Sequence, residues 1–121
     1  FLTIQTISQA VKIYFDGKAS VSIDSVFSAN TLKTRLYDKN LVPINHSPTE
    51  LVRTQDLEMI YEENSSFYIF SGEAFQKNKH RIGSKPQVYP MNRSDIETLD
   101  VDDPSDWKLA EKLLRANVND I

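Results

Sequence analysis

The sequence predicts an α/β fold, and three observations carry that prediction. An amphipathic helical pattern opens the chain, a continuously apolar run sits past its middle, and a capped helix closes it, with strand-like runs between. Over Thr3–Phe15, Ile4, Ile7, Val11 and Tyr14 recur at helical spacing, and Ala10 and Phe15 widen the stripe. Gly17, in "FDGKAS", is expected to cap this helix at its C-terminus. "SVSIDSVFSA" alternates and is rich in β-branched residues, which predicts a strand ending near Ala29. "LKTRLYDKNLVPI" predicts a hairpin around the turn "DKN". "NHSPTELVRTQDLEMIYEEN" has weak periodicity and predicts a long connection holding one helical turn.

"SSFYIFSG" predicts a buried strand, because Phe67–Phe70 is apolar without a break and suits a sheet covered on both faces. "GEAFQKN" is a short helix start, "NKHRIGSKP" a polar, basic loop, "QVYPM" a short strand, and "IETLDVD" another strand. In "DPSDWKLAEKLLRANV", Asp103 is a natural N-cap, Pro104 suits the first helical position and Asp106 stands where a capping-box acid belongs. Trp107, Ala110, Leu113 and Leu114 are its expected buried face.

The 121 residues, 40% of them hydrophobic, make one domain with enough chain for a core. A net charge of −3 argues against nucleic-acid binding by bulk electrostatics. Residues 1–60 carry six basic and six acidic groups, and residues 61–121 carry eight and eleven. Within that acidic half, Lys77, Lys79, His80, Arg81 and Lys85 form a local basic cluster. The lack of cysteine excludes disulfides and thiolate metal sites and fits a reducing compartment. No apolar run reaches the length of a membrane span, and no signal peptide is visible. The start "FLTIQTIS", without Met and almost at once helical, leads to the expectation of a fragment.

Asp100, Asp102, Asp103 and Asp106 fall within seven residues. If "TLDVD" is a strand, its period of two puts Asp100 and Asp102 on one face, where two close carboxylates repel unless a cation or protons intervene. A hard divalent ion such as Mg²⁺ takes one or two carboxylates and leaves its other positions to water and phosphate. The competing reading is a solvated strand end whose acids serve the helix dipole, and spacing alone leaves both open. Arg53 and Gln55, beside Asp56, divide likewise between solvated loop residues and a guanidinium–amide pair suited to a carboxylate. Lys33 and Arg35 share a hairpin face, either as charges guarding an edge strand or as a basic surface reaching a neighbour. Asn64 and Tyr68 flank the buried strand, and the residue type favours Tyr68 as a core residue with a satisfied hydroxyl over a ligand contact. His46 and His80 have no Ser or Cys partner implied and carry no catalytic role. No Gly-rich phosphate loop, dinucleotide fingerprint or nucleophile elbow is present.

Taken in order, Arg53-Thr54-Gln55-Asp56-Leu57, Tyr61 through Asn64, Phe67 through Phe70, and Asp100-Val101-Asp102-Asp103-Pro104-Ser105-Asp106 resemble the acylneuraminate cytidylyltransferases, the CMP–sialic acid synthetase family. The opening "FLTIQTISQAV" is similar to the segment that follows that family's nucleotide-binding half, so the resemblance covers essentially the whole chain. Its specificity lies in the order of the pieces. It implies a Rossmann-like mixed sheet with a protruding dimerisation element, and transfer of CMP from CTP to a sialic-type (nonulosonic) acid with release of pyrophosphate. It implies that Asp100 and Asp102 are catalytic residues holding Mg²⁺ (or Mn²⁺), and that Arg53, Gln55 and Tyr68 contact the sugar. It places Lys33 and Arg35 at a homodimer contact.

Residues 1–121 would then be the C-terminal part of one cytidylyltransferase domain, with 31–62 as a dimerisation and sugar-site excursion. The N-terminal CTP-binding part would be absent, and the chain inactive alone. The expected setting is the bacterial cytoplasm, with no nucleic-acid or membrane partner. Ser65-Ser66 and the pair Asp103 and Ser105 depart from that family's commoner residues, which puts the turn after Asn64 in doubt and alters the helix cap. A 3-deoxy-manno-octulosonate cytidylyltransferase and a non-catalytic α/β dimerisation module are the alternatives.

Overall fold

A computed structural model of the chain describes residues 2–92, 94, 96–98 and 101–119, with backbone alone for 96 and 117–119. Helix α1 (Ile4–Val21) is followed by strand β1 (Ser25–Leu32), a 3-10 turn at Thr54–Asp56 and strand β2 (Ile60–Phe70). Helix α2 (Gly72–Asn78), strand β3 (Pro86–Met91), a 3-10 turn at Ile96–Thr98 and helix α3 (Pro104–Asn119) complete the order. The sheet runs β2-β1-β3, with β1 antiparallel to β2 and parallel to β3. The α/β class is therefore as expected, and the sheet is mixed.

Helix α1 begins where its cap dictates: the Thr3 hydroxyl accepts the Thr6 N–H. It runs six residues past its expected end, through Gly17, and its left-handed cap is Ser22, at φ 59°. Gly17 has a different use. Ile23 folds back over it so closely that a Cβ there would stand 2.6 Å from the Ile23 Cδ1. That return places Ile23 in the core with Tyr14 and Val26, against Ile13, Phe67, Ile69 and Tyr89.

The central, buried strand is β1, which begins five residues later than the expected Ser20, and β2 lies at an edge. The expectation that Phe67–Phe70 is covered on both faces is corrected accordingly: these residues are half-buried, and Phe70 is partly exposed. The β1–β2 register breaks between Phe27 and Ala29, which pair with Tyr68 and Glu63. The extra β2 residues bow outward through Ser65, which takes a left-handed φ of 59°. Side chains replace the lost ladder bonds there. The Ser28 hydroxyl accepts the Phe67 N–H, the Asn64 Oδ1 accepts the Ser66 N–H, and the Asn64 amide donates to Asn30 Oδ1 at 2.9 Å. The turn after Asn64 thus closes with serines.

The segment around Asp38–Leu41 turns as expected, but the hairpin is reduced to one antiparallel bridge, Tyr37 with Pro43. None of the described residues of "IETLDVD" is in a strand: Ile96–Thr98 is a 3-10 turn, and Val101 and Asp102 are irregular. The turn is held by its own acid, since Glu97 reaches back to Thr3 and Thr6 at the start of α1. Helix α3 starts at Pro104 as its cap predicts, but its apolar face is not buried. Trp107 is 65% exposed and Leu114 54% exposed. No described helix is long and apolar enough to cross a membrane.

Candidate functional site

The excursion between β1 and β2 is organised by its basic and amide side chains. The Lys33 ammonium donates to the Gln55 carbonyl at 3.2 Å, and the Arg35 guanidinium donates to the Val52 carbonyl and, at 3.5 Å, to the Thr54 hydroxyl. Buried Asn45 accepts the Leu36 N–H and donates to the carbonyls of Thr34 and Glu58. Lys33 and Arg35 therefore hold the loop from which Arg53 and Gln55 project into solvent. Arg53 Nε donates to Asp56 Oδ2 at 2.9 Å, and both side chains are largely exposed. An exposed pair of this kind contributes about 0–1 kcal/mol, so an incoming carboxylate can displace it.

Tyr68 occupies another part of the sheet. It pairs with Phe27, whereas Ile60, which follows the Arg53–Gln55 loop, pairs with Leu32. Five strand residues separate those positions, about 17 Å. Among the described contacts, none joins Tyr68 to Arg53 or Gln55. The Tyr68 hydroxyl lies 3.0 Å from Glu63 Oε1, to which it donates, and 3.1 Å from the Ser65 hydroxyl. The Arg81 guanidinium lies over its ring, 4.1 Å from the centroid.

The aspartates divide by partner. Asp103 caps α3: its carboxylate accepts the Ser105 hydroxyl at 2.6 Å and the Asp106 N–H at 2.9 Å, and its carbonyl accepts the Trp107 N–H. The Ser105 hydroxyl and then the Asp106 N–H hold that carboxyl below its ordinary pKa. Asp106 Oδ2 accepts the N–H of Asp102, one residue ahead of the capping-box position. The Asp102 side chain is exposed, and its carboxylate takes no hydrogen bond among the described residues. Asp100 lies outside the described residues, so its place beside Asp102 rests on the sequence alone. The described residues on either side of Asp100, Thr98 and Val101, are not in a strand. Among the described residues no cluster of three or more His, Cys, Asp or Glu could hold a metal ion. An unengaged, solvent-facing Asp102 still fits a hard cation that takes one or two carboxylates and fills its shell with water and phosphate.

Three residues with evident positional work carry no assignment from the sequence: Asp24, Gly83 and Arg81. Asp24 collects the N–H groups of Ser84 and Lys85, at 2.9 and 3.2 Å, and the Ser84 hydroxyl. Partial burial alone would raise its pKa, but hydrogen bonds from Ser25, Lys85 and Ser84 outweigh it and hold the carboxyl below its ordinary value. The available signal was the glycine inside the basic loop "KHRIGSKP", which marks a close backbone approach. A cavity of about 200 Å³ between α1 and α2 has Lys18, Asp24, Glu73 and Lys77 on its walls and lies apart from Arg53 and Gln55.

No family model matches the chain. A curated relative is the CMP-N,N'-diacetyllegionaminic acid synthase of Legionella pneumophila subsp. pneumophila, strain Philadelphia 1, which is 29% identical over 125 aligned residues. The alignment covers 93% of this chain and 49% of that protein, so the chain spans about half the length of the curated relative it matches. The resemblance carried by the ordered motifs thus extends over nearly the whole chain.

Proposed function

We propose that this chain, similar in sequence to a CMP–nonulosonic acid synthase, serves a cytidylyltransferase that moves CMP from CTP to a sialic-type acid and releases pyrophosphate. The observation that carries the proposal is the ordered run Arg53-Thr54-Gln55-Asp56-Leu57 to Asp100-Val101-Asp102, set within a similarity that spans 93% of the chain. The chain supplies a C-terminal portion of a Rossmann-like domain. Its 31–62 excursion serves the sugar site and the dimer contact.

The residues have distinct tasks in that reading. Arg53 and Gln55 offer a guanidinium and an amide to the sugar carboxylate, with Asp56 as the resting partner of Arg53. Lys33 and Arg35 fix the backbone of that loop and lie on the face that meets a second copy. Tyr68 lines the sugar pocket, and its hydrogen bond to Glu63 sets the ring. Asp102, together with Asp100, would hold Mg²⁺ or Mn²⁺. When bound, that ion neutralises triphosphate charge and favours the departing pyrophosphate.

The test is an assay of the protein carrying this chain with CTP, Mg²⁺ and a panel of nonulosonic acids that includes N,N'-diacetyllegionaminic acid. Pyrophosphate release with one of them is the expected result. Release with none would overturn the proposal, and release only with 3-deoxy-manno-octulosonate would move the chain to the neighbouring activity.

A further inference from the structure

The position of Arg81 is built from several independent contacts. The loop 79–85 is wound around the residues just ahead of β1. Asp24 accepts the N–H groups of Ser84 and Lys85, the Ser84 hydroxyl at 3.3 Å and the Asn78 amide at 3.5 Å. The Ser25 hydroxyl donates to Asp24 and accepts the Gly83 N–H, both at 3.0 Å. A Cβ on Gly83 would stand 2.3 Å from the Asp24 carboxylate, so a side chain there would keep the loop from closing. On the other side of Arg81, the His80 Nδ1 accepts the Ile82 N–H at 2.9 Å. The backbone is therefore held before and after Arg81.

The side chain is held as well. Its guanidinium rests on the Tyr68 ring, which is itself oriented by the hydroxyl contacts with Glu63 and Ser65. Contact over the ring draws on the positive charge of the guanidinium and does not use up its five N–H donors as hydrogen bonds would. Among the described residues, no hydrogen bond or ion pair takes those donors. A surface arginine that only repels aggregation needs neither a fixed loop nor an aromatic platform. A guanidinium held over an aromatic ring, with N–H donors that no described residue takes, suits capture of an anion.

We infer that Arg81 is a binding residue: its N–H edge takes an anionic oxygen pair of the ligand that Tyr68 lines. The inference rests on the proposed activity and deepens it. Two sources offer that chemistry, the carboxylate of the sugar acid and a phosphate of CTP.

Steady-state kinetics of the protein carrying this chain, as wild type, Arg81→Gln and Arg81→Lys, separate the outcomes. With the sugar carboxylate as the ligand, Arg81→Gln raises KM for the sugar acid by about tenfold or more, leaves kcat within about threefold, and leaves KM for CTP unchanged. Arg81→Lys, which keeps the charge and loses the fork, recovers part of the loss. The methyl ester of the sugar acid, offered to both proteins, then shows no difference between them. A rise in KM for CTP alone supports the same N–H edge acting on phosphate. Unchanged KM values for both substrates, with a lowered Tm, would mean that Arg81 only staples the loop and would overturn the inference. A wild type that releases no pyrophosphate with any nonulosonic acid overturns the parent proposal, and this one with it.

Discussion

Glu97 and Thr6, 91 residues apart in the chain, meet through a 3.0 Å hydrogen bond from the Thr6 hydroxyl to Glu97 Oε2. The other carboxylate oxygen of Glu97 accepts the Thr3 N–H at 2.7 Å, so one acid satisfies a free donor at the start of α1 and pins the 96–98 turn beside it. An acid at a helix N-terminus is also favoured by the helix dipole. Partial burial works to raise the Glu97 pKa, but the bonds from Thr3 and Thr6 outweigh it and lower the value.

The sign of the resulting pH effect follows from that direction. A carboxyl whose folded pKa is lowered contributes stability above its unfolded value and loses it as the pH falls through the folded one. Thermal melts should therefore show a Glu97-dependent loss at and below about pH 4. Glu97→Gln should lower stability by about 1 kcal/mol near neutral pH and flatten that part of the profile. An unchanged profile in the variant would show that the link carries no stability.

The contact between Gly83 and Asp24 can be isolated by a double-mutant cycle. Gly83→Ala alone forces a methyl against a carboxylate that five hydrogen bonds hold in place, and should cost about 1–3 kcal/mol. In an Asp24→Gly background the same change should cost about 1 kcal/mol less, because the obstructing group is gone. Additive losses in urea titrations would separate the two residues. Asp24 has a lowered pKa, so protection of the Ser84 and Lys85 amides from hydrogen exchange should also fall as the pH drops below the ordinary aspartate range.

Asp102 and Asp103 are neighbours with different expected failures. Asp103→Ala removes the α3 cap and should lower the Tm, with the Mg²⁺ dependence of turnover unchanged. Asp102→Asn removes an acid whose carboxylate has no described partner, so Tm should stay within a few degrees while turnover in the protein carrying this chain falls by about 100-fold or more. A fully active Asp102→Asn would remove the metal assignment.

Legibility in the sequence followed the range of the interactions. The start of α3 could be read because its determinants, Asp103, Pro104 and Asp106, lie within four residues of one another. Helix α2 and strand β3 were legible from short runs of the right residue types. The end of α1 was not, since Gly17 serves a contact with Ile23 that local rules read as a cap. The 3-10 turn at Ile96–Thr98, where a strand was expected, carries Glu97 to the start of α1, a contact no local pattern records. Of the candidate site, the ordered motif singled out Arg53, Gln55, Tyr68 and the aspartates, whereas the partners of Arg53, Tyr68 and Asp103 came from the folded chain.

The α/β class, the closing helix with its cap, and the similarity to a CMP–nonulosonic acid synthase could all be read from residue types and their order. Tertiary structure alone decided that β1 is the buried strand and β2 an edge, that Lys33 and Arg35 fasten the Arg53–Gln55 loop, and that Arg81 lies on Tyr68. Capping and periodicity act within a few residues and leave a mark in the local sequence. Strand order, the closure of Gly83 on Asp24 and the stacking of Arg81 on Tyr68 join residues far apart, and depend on which surfaces can pack together once the chain is folded.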